Sequence, residues 1–238
     1  MKAEESLYKK IWDYKLKDTH HLPKIKYPTG SLRVDEAFKL VKQGKRFLDV
    51  GCGTGTLAYL VKENFDEVYG VDIEEAAVKE AKKIGVKAST LNVNEQILPF
   101  ADGYFDTITC LAVIEHVFEP EVLIAELARV TKRGGMLILD TPNMRYLKYL
   151  FSIIINGEFP KTSGDIEHSY DGGHLHYFTF KDIKNLLSKY GFKIDHHAKA
   201  HLPESKKKPW YKILSLLGPW FEREFLSIEI LVSARKIK

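Results

Sequence analysis

Phe47-Leu48-Asp49-Val50-Gly51-Cys52-Gly53-Thr54-Gly55 is the most informative stretch of this 238-residue chain. The apolar first half has the make-up of a short buried strand over 46–50, and 57–64 has that of a helix. Between them, glycines let the chain turn sharply and let a ligand approach the backbone where a Cβ would clash. The spacing discriminates among ligands. A dinucleotide loop, G-x-G-x-x-G, would want glycine at position 56, where Thr56 stands. The pattern here is G-x-G-x-G with Asp49 two residues ahead, which suits an amino-acid-bearing nucleoside better than a pyrophosphate. A second strand over 68–72 ends at Asp72, 21 residues past Gly51. A carboxylate there can accept both hydrogens of a ribose diol in charge-assisted bonds.

On either side of this stretch, two periodicities alternate. Strand patterns cover 86–91, 105–110 and 136–140, and later 192–194 and 229–233. Helical patterns cover 74–84, 120–130 (with Pro120 at its start) and 180–190 (closed by Gly191). Gly134-Gly135 is expected to stop the segment that follows the 120–130 helix. Such alternation predicts an α/β protein, a doubly wound, mostly parallel sheet covered on both faces. One domain is expected over 1–238. It comprises an N-terminal helical lid segment (1–34), a cofactor-binding core (35–140), an insertion or lid (141–179) and a C-terminal part completing the sheet (180–238).

The glycine stretch resembles motif I of the class I S-adenosylmethionine (SAM)-dependent methyltransferases, and the likeness extends over 46–141 and 174–194. Val71-Asp72 resembles the ribose-binding acid of that family, and Leu91-Asn92-Val93-Asn94 with 98–106 resembles its adenine-binding segment. Leu111 to His116 resembles the motif after strand four, and the stretch from Leu127 to Gly135 the turn before strand five. The resemblance implies a seven-stranded Rossmann-like sheet with the seventh strand antiparallel, and SAM as cofactor. Asp49, Gly51, Cys52, Gly53, Thr54, Gly55, Asp72, Ile73, Asn92, Val93 and Leu111 would then hold it. Two departures stand out. Asn92 replaces the usual Asp, though its side-chain oxygen can still accept from an adenine amino group. Ala112 replaces a residue that is often polar or acidic.

Acceptor-side candidates are His116, in Glu115-His116 after the fourth strand, and His174 and His176, which share a face on an extended chain. Each can also be read as packing or capping. Asp165, Glu167, His168, Asp171, His174 and His176 lack a compact ligand spacing such as H-E-x-x-H, so no metal is expected. Cys52 and Cys110 are too few for a disulfide scaffold or a four-thiolate zinc site and read as small core residues.

The formal net charge of +4 hides a division along the chain. Residues 1–34 carry +4, residues 35–140 carry −6 and residues 141–238 carry +6. The flanks therefore carry the expectation of an apolar or anionic small-molecule acceptor. The lysines are scattered and accompany no RNA-binding module, which disfavours nucleic acid. The apolar run 146–155 must be covered by something, such as the domain itself, a dimer partner or a membrane surface. Lys206-Lys207-Lys208 beside Trp210 and Trp220 makes a weak interfacial anchor. The start shows no signal-peptide pattern and no stretch has the length of a spanning helix, so a cytoplasmic location is expected. Methyl transfer to oxygen or nitrogen of a small or lipid-like molecule is the expected activity. An RNA or protein methyltransferase and a non-catalytic SAM-binding module are the alternatives.

Overall fold

A computed structural model describes residues 9, 25–163, 170–198, 200 and 208–238. Seven strands form one sheet: β1 (Gly44–Val50), β2 (Phe65–Asp72), β3 (Lys87–Thr90), β4 (Phe105–Leu111), β5 (Thr131–Pro142), β6 (Phe192–His197) and β7 (Glu229–Lys236). Their order is β3-β2-β1-β4-β5-β7-β6. All neighbours are parallel except those of β7, which runs antiparallel to both β5 and β6. Strand order reverses between β1 and β4. In an open α/β sheet that reversal opens a ligand crevice beyond the carboxyl ends of the two strands.

The helices of the layers are α1 (Leu32–Leu40), α2 (Thr56–Val61), α3 (Glu75–Lys83), α4 (Pro120–Val130), α5 (Leu147–Phe151), α6 (Phe180–Lys189) and α7 (Pro209–Ser215). Local chemistry sets their ends. Ser31 caps α1 by accepting from Val34 N–H. Thr179 and Asp182 form a reciprocal capping box at the start of α6. Two apolar clusters flank the sheet. One gathers Leu48, Val50, Ile108, Ile124, Leu127 and Ile183 under α4 and α6, the other Phe47, Leu57, Ala58, Val61, Val78 and Ala81 under α1 to α3. Cys52 and Cys110 are buried free thiols.

Two expectations are corrected. Gly134-Gly135 does not stop the chain, because both glycines lie inside β5, where the pairing with β4 shifts register. A Cβ at Gly135 would meet Lys132 O at 2.8 Å and Asp106 O at 3.0 Å, so glycine is what allows this close passage. The apolar run 146–155 is only half covered. Tyr146 and Tyr149 are buried, whereas Phe151, Ile154 and Ile155 are 59%, 73% and 70% exposed. Most of the N-terminal lid segment, Lys206-Lys207 and the acidic residues Asp165 and Glu167 with His168 lie outside the described residues. Among the described residues, no helix is long and apolar enough to cross a membrane.

Candidate cofactor and acceptor site

The β1–α2 loop is built for close approach. Gly51, Gly53 and Gly55 all take positive φ (74°, 51° and 80°). A Cβ on Gly51 would lie 2.3 Å from Val113 Cγ2, and one on Gly55 would lie 3.0 Å from Ala81 Cβ. Gly51 and Cys52 donate N–H bonds to Val71 O. Gly53 N–H donates to Asp72 Oδ2 at 2.8 Å, and Glu74 N–H donates to Asp72 Oδ1 at 3.0 Å. Each carboxylate oxygen has a second lone pair, so Asp72 is oriented by these bonds and can still accept from a diol. Burial pushes the Cys52 thiol far up, so it is packing rather than a nucleophile.

Asp49 lies near the end of its strand, beside Asp72. Thr109 Oγ1 donates to Asp49 Oδ1 at 2.7 Å. Burial nevertheless pushes its carboxyl up to about 7, opposed by the Thr109 bond and helped by the charge of Asp72. Two acids held together at a crevice mouth favour a cationic ligand. Ile73 just after β2, Val93 in the turn beyond β3 and Leu111 at the end of β4 are half-buried. Asn92 uses Oδ1 to accept from Asn94 N–H (3.0 Å), while its Nδ2 is buried without a partner among the described residues. Asn92 therefore adds an unspent donor to the acceptor that the sequence suggested. Such a buried donor needs an acceptor such as a purine ring nitrogen. The adenine-like segment is clamped by Arg129, which donates to the carbonyls of Leu98 and Phe100 and pairs with Asp102 and Glu126.

Beyond Leu111 the chain turns at Ala112, which holds φ of 52°, a left-handed conformation uncommon without glycine. The turn presents Glu115 and His116. Leu175 and His176 N–H groups both donate to Glu115 O (2.8 and 3.0 Å), fastening the histidine loop onto this turn. His116 Nδ1–H donates to Gly173 O at 3.2 Å. The Thr162 hydroxyl donates to Asp171 Oδ2 at 2.7 Å, so its oxygen accepts from His174 Nδ1–H, also at 2.7 Å. The two imidazoles stand edge to face, with centroids 4.6 Å apart. Burial and the charge of Arg33 hold His174 below its ordinary pKa, opposed by Asp171. His176 is not brought to the pair: its Nε2–H donates to Phe118 O at 3.2 Å.

Sequence reasoning named Asp171 and Glu115 without giving either a role, and missed Arg33 altogether. Asp171 is fully buried at φ of 50° and accepts from Thr162, Ser163 and Tyr177, organising the loop that carries His174. Arg33, from α1, pairs with Asp140 near the end of β5 and with Glu229 at the start of β7. Burial pushes the Glu115 carboxyl up to about 7, with the charge of Asp140 adding and Arg33 opposing. The partners of Arg33 and Glu115 are distant in sequence, and those of Asp171 meet it only once its loop has closed, so no local pattern announces them.

A G-x-G-x-G loop and a strand-end acid at the switch point of a seven-stranded sheet with an antiparallel seventh strand define the class I SAM-dependent methyltransferase fold. The chain belongs to the methyltransferase-domain family, whose model matches residues 29–197. The ubiquinone biosynthesis O-methyltransferase of Dechloromonas aromatica is 36% identical to it over 126 residues, 51% of this chain and 53% of that one. The protein of the same name from Coxiella burnetii is 36% identical over 121 residues, 49% and 51% of the two chains. The chain thus spans about half the length of the curated relatives it matches. A SAM-dependent methyltransferase from Mesorhizobium loti superposes with a TM-score of 0.63 at 20% identity, over 87% of this chain and 98% of that one, a likeness of fold.

Proposed function

We propose that this chain transfers a methyl group from SAM to an oxygen of a small, largely apolar molecule. The observation that carries this reading is the buried Asp49–Asp72 pair beside the positive-φ glycine loop, with the unspent Asn92 donor just after the neighbouring strand β3. When bound, SAM would supply a methyl on a positively charged sulfonium, a carbon open to in-line attack by an acceptor lone pair as the sulfur leaves as a neutral thioether. The residues present fit it. Asp72 would take the ribose hydroxyls, Asn92 and Val93 the adenine, and the Gly51–Gly55 loop with Asp49 the amino-acid end. Positioning supplies much of the acceleration in such a displacement. The oxygen acceptor is favoured by the relatives named as ubiquinone biosynthesis O-methyltransferases. A hydroxyl must also lose its proton, and Glu115, His116 and His174 are the groups the chain gathers at the edge where that would happen.

Purified protein incubated with methyl-labelled SAM tests this against three acceptor pools: hydroxylated aromatics, primary amines and total RNA. Label in a methyl ether of the first pool is expected. Label confined to amines or RNA would overturn the oxygen assignment, and no SAM binding by calorimetry would overturn the whole reading.

A further inference from the structure

Glu115 presents a problem of charge. It is fully buried, and neither carboxylate oxygen makes a hydrogen bond of ordinary geometry among the described residues. The nearby guanidinium of Arg33 is already shared between Asp140 and Glu229, both of them ionisable and enclosed. One cation shared among three enclosed acids cannot satisfy them all, so a second cation beside Glu115 would be favoured in this low-dielectric site. Facing that carboxylate are two imidazoles. The ligand atoms of Glu115, His116 and His174 all lie within 4.8 Å of one another. Each ring is steered through Nδ1–H, His116 by Gly173 O and His174 by the Thr162 hydroxyl that Asp171 in turn holds. In a neutral ring this leaves the lone pair on Nε2. Oriented imidazoles backed by carbonyl or carboxylate partners are how proteins prepare histidines for a metal.

We propose that Glu115, His116 and His174 form a binding site for one divalent transition-metal ion. Two imidazoles and one carboxylate suit Zn²⁺, Mn²⁺, Fe²⁺ or Co²⁺; Mg²⁺ and Ca²⁺ favour all-oxygen sets. Three protein ligands leave coordination positions open, and an acceptor at the edge assigned above would take one of them. An acceptor hydroxyl bound there would lose its proton to solvent more readily, because a Lewis acid stabilises the oxygen anion. This placement beside the acceptor rests on the methyl-transfer reading; the cation site itself does not. No metal is expected from the sequence because the run from Asp165 to His176 lacks a compact ligand spacing; His116 and His174, 58 residues apart, are brought together only by the fold.

The test uses the full chain, stripped with chelator and titrated with Co²⁺ by visible absorption, then with Zn²⁺ in competition. One tightly held ion per chain is expected, displaced by Zn²⁺ and weakened at least about tenfold by Glu115→Gln and by His174→Gln. His176→Ala is expected to retain it. No stoichiometric binding, or equal binding in Glu115→Gln and His174→Gln, would overturn the site. Should circular dichroism show Glu115→Gln unfolded, the His174→Gln comparison decides. Methyl transfer is measured in parallel with and without chelator. Metal binding without transfer sinks the catalytic reading and leaves the site. Transfer by a chain that binds no metal sinks the site alone.

Discussion

Asp72 and Asp49 are neighbours with opposite behaviour. Asp72 is oriented by two backbone N–H groups and is the acid best placed for a diol. Replacing it with Ala removes charge-assisted bonds whose loss costs about 2–4 kcal/mol. SAM affinity measured by calorimetry is therefore expected to fall at least about 30-fold, with circular dichroism confirming that the variant is folded. Asp49 instead stores unfavourable burial. Its folded pKa, about 7, lies above the value of an unfolded aspartate, so the folded state keeps a proton that the unfolded state has released. Stability of the ligand-free protein is then lost as pH rises from about 4 towards 7 and levels off above it. Asp49→Asn keeps an acceptor for Thr109 but carries no charge. Relative to the parent it should be unchanged near pH 4 and more stable above pH 7, by a few kcal/mol at most. Urea melts across that range check the sign.

Among the connecting elements, the loop between α5 and α6 depends on one carboxylate. Asp171 accepts from two backbone amides, a hydroxyl and a phenol, and these outweigh the burial that alone would raise its pKa, leaving it lowered. Asp171→Ala is expected to destabilise the protein by about 2 kcal/mol and to speed hydrogen exchange at the Thr162 and Ser163 amides. Methyl transfer should fall with it, since Thr162 no longer steers His174. The Pro120 start of α4 and the Gly191 close after α6 are legible in the sequence, because each is a local pattern with a local cause. Asp171 is not, because its φ of 50° and its buried partners arise only once the loop has closed. The same contrast separates Asp72, announced by its place at a strand end, from Glu115, whose solitude depends on where Arg33 goes. The start of β5 departs from its local pattern for a related reason. Gly134-Gly135 resembles a stop until Asp106 and Lys132 show how little room the strand has there.

Across the fold as a unit, the acidic core and a basic flank of the sequence meet at Arg33. Arg33 reaches from α1 to Asp140 on β5 and Glu229 on β7, so a segment counted among the basic flanks ties these two neighbouring strands together. Burial raises the Glu229 carboxyl and Asp140 raises it further, with Arg33 opposing both. Removing the guanidinium therefore leaves neighbouring carboxylates with no counter-charge. Breaking such a pair typically costs about 3–5 kcal/mol, and the low end applies because a third of the Arg33 side chain meets solvent. Arg33→Met preserves the stem and deletes the charge. At pH 8 it should lower unfolding free energy by about 3 kcal/mol. At pH 5 the penalty should shrink somewhat, because Glu229, raised to about 8 and so about half protonated at pH 8, then holds its proton fully and needs no partner. A double variant, Arg33→Met with Glu229→Gln, should recover part of the loss at pH 8 and little at pH 5. Equal destabilisation at both pH values, or no recovery in the double variant, would mean that α1 is held by its apolar face on the sheet and that the ion pair contributes nothing measurable.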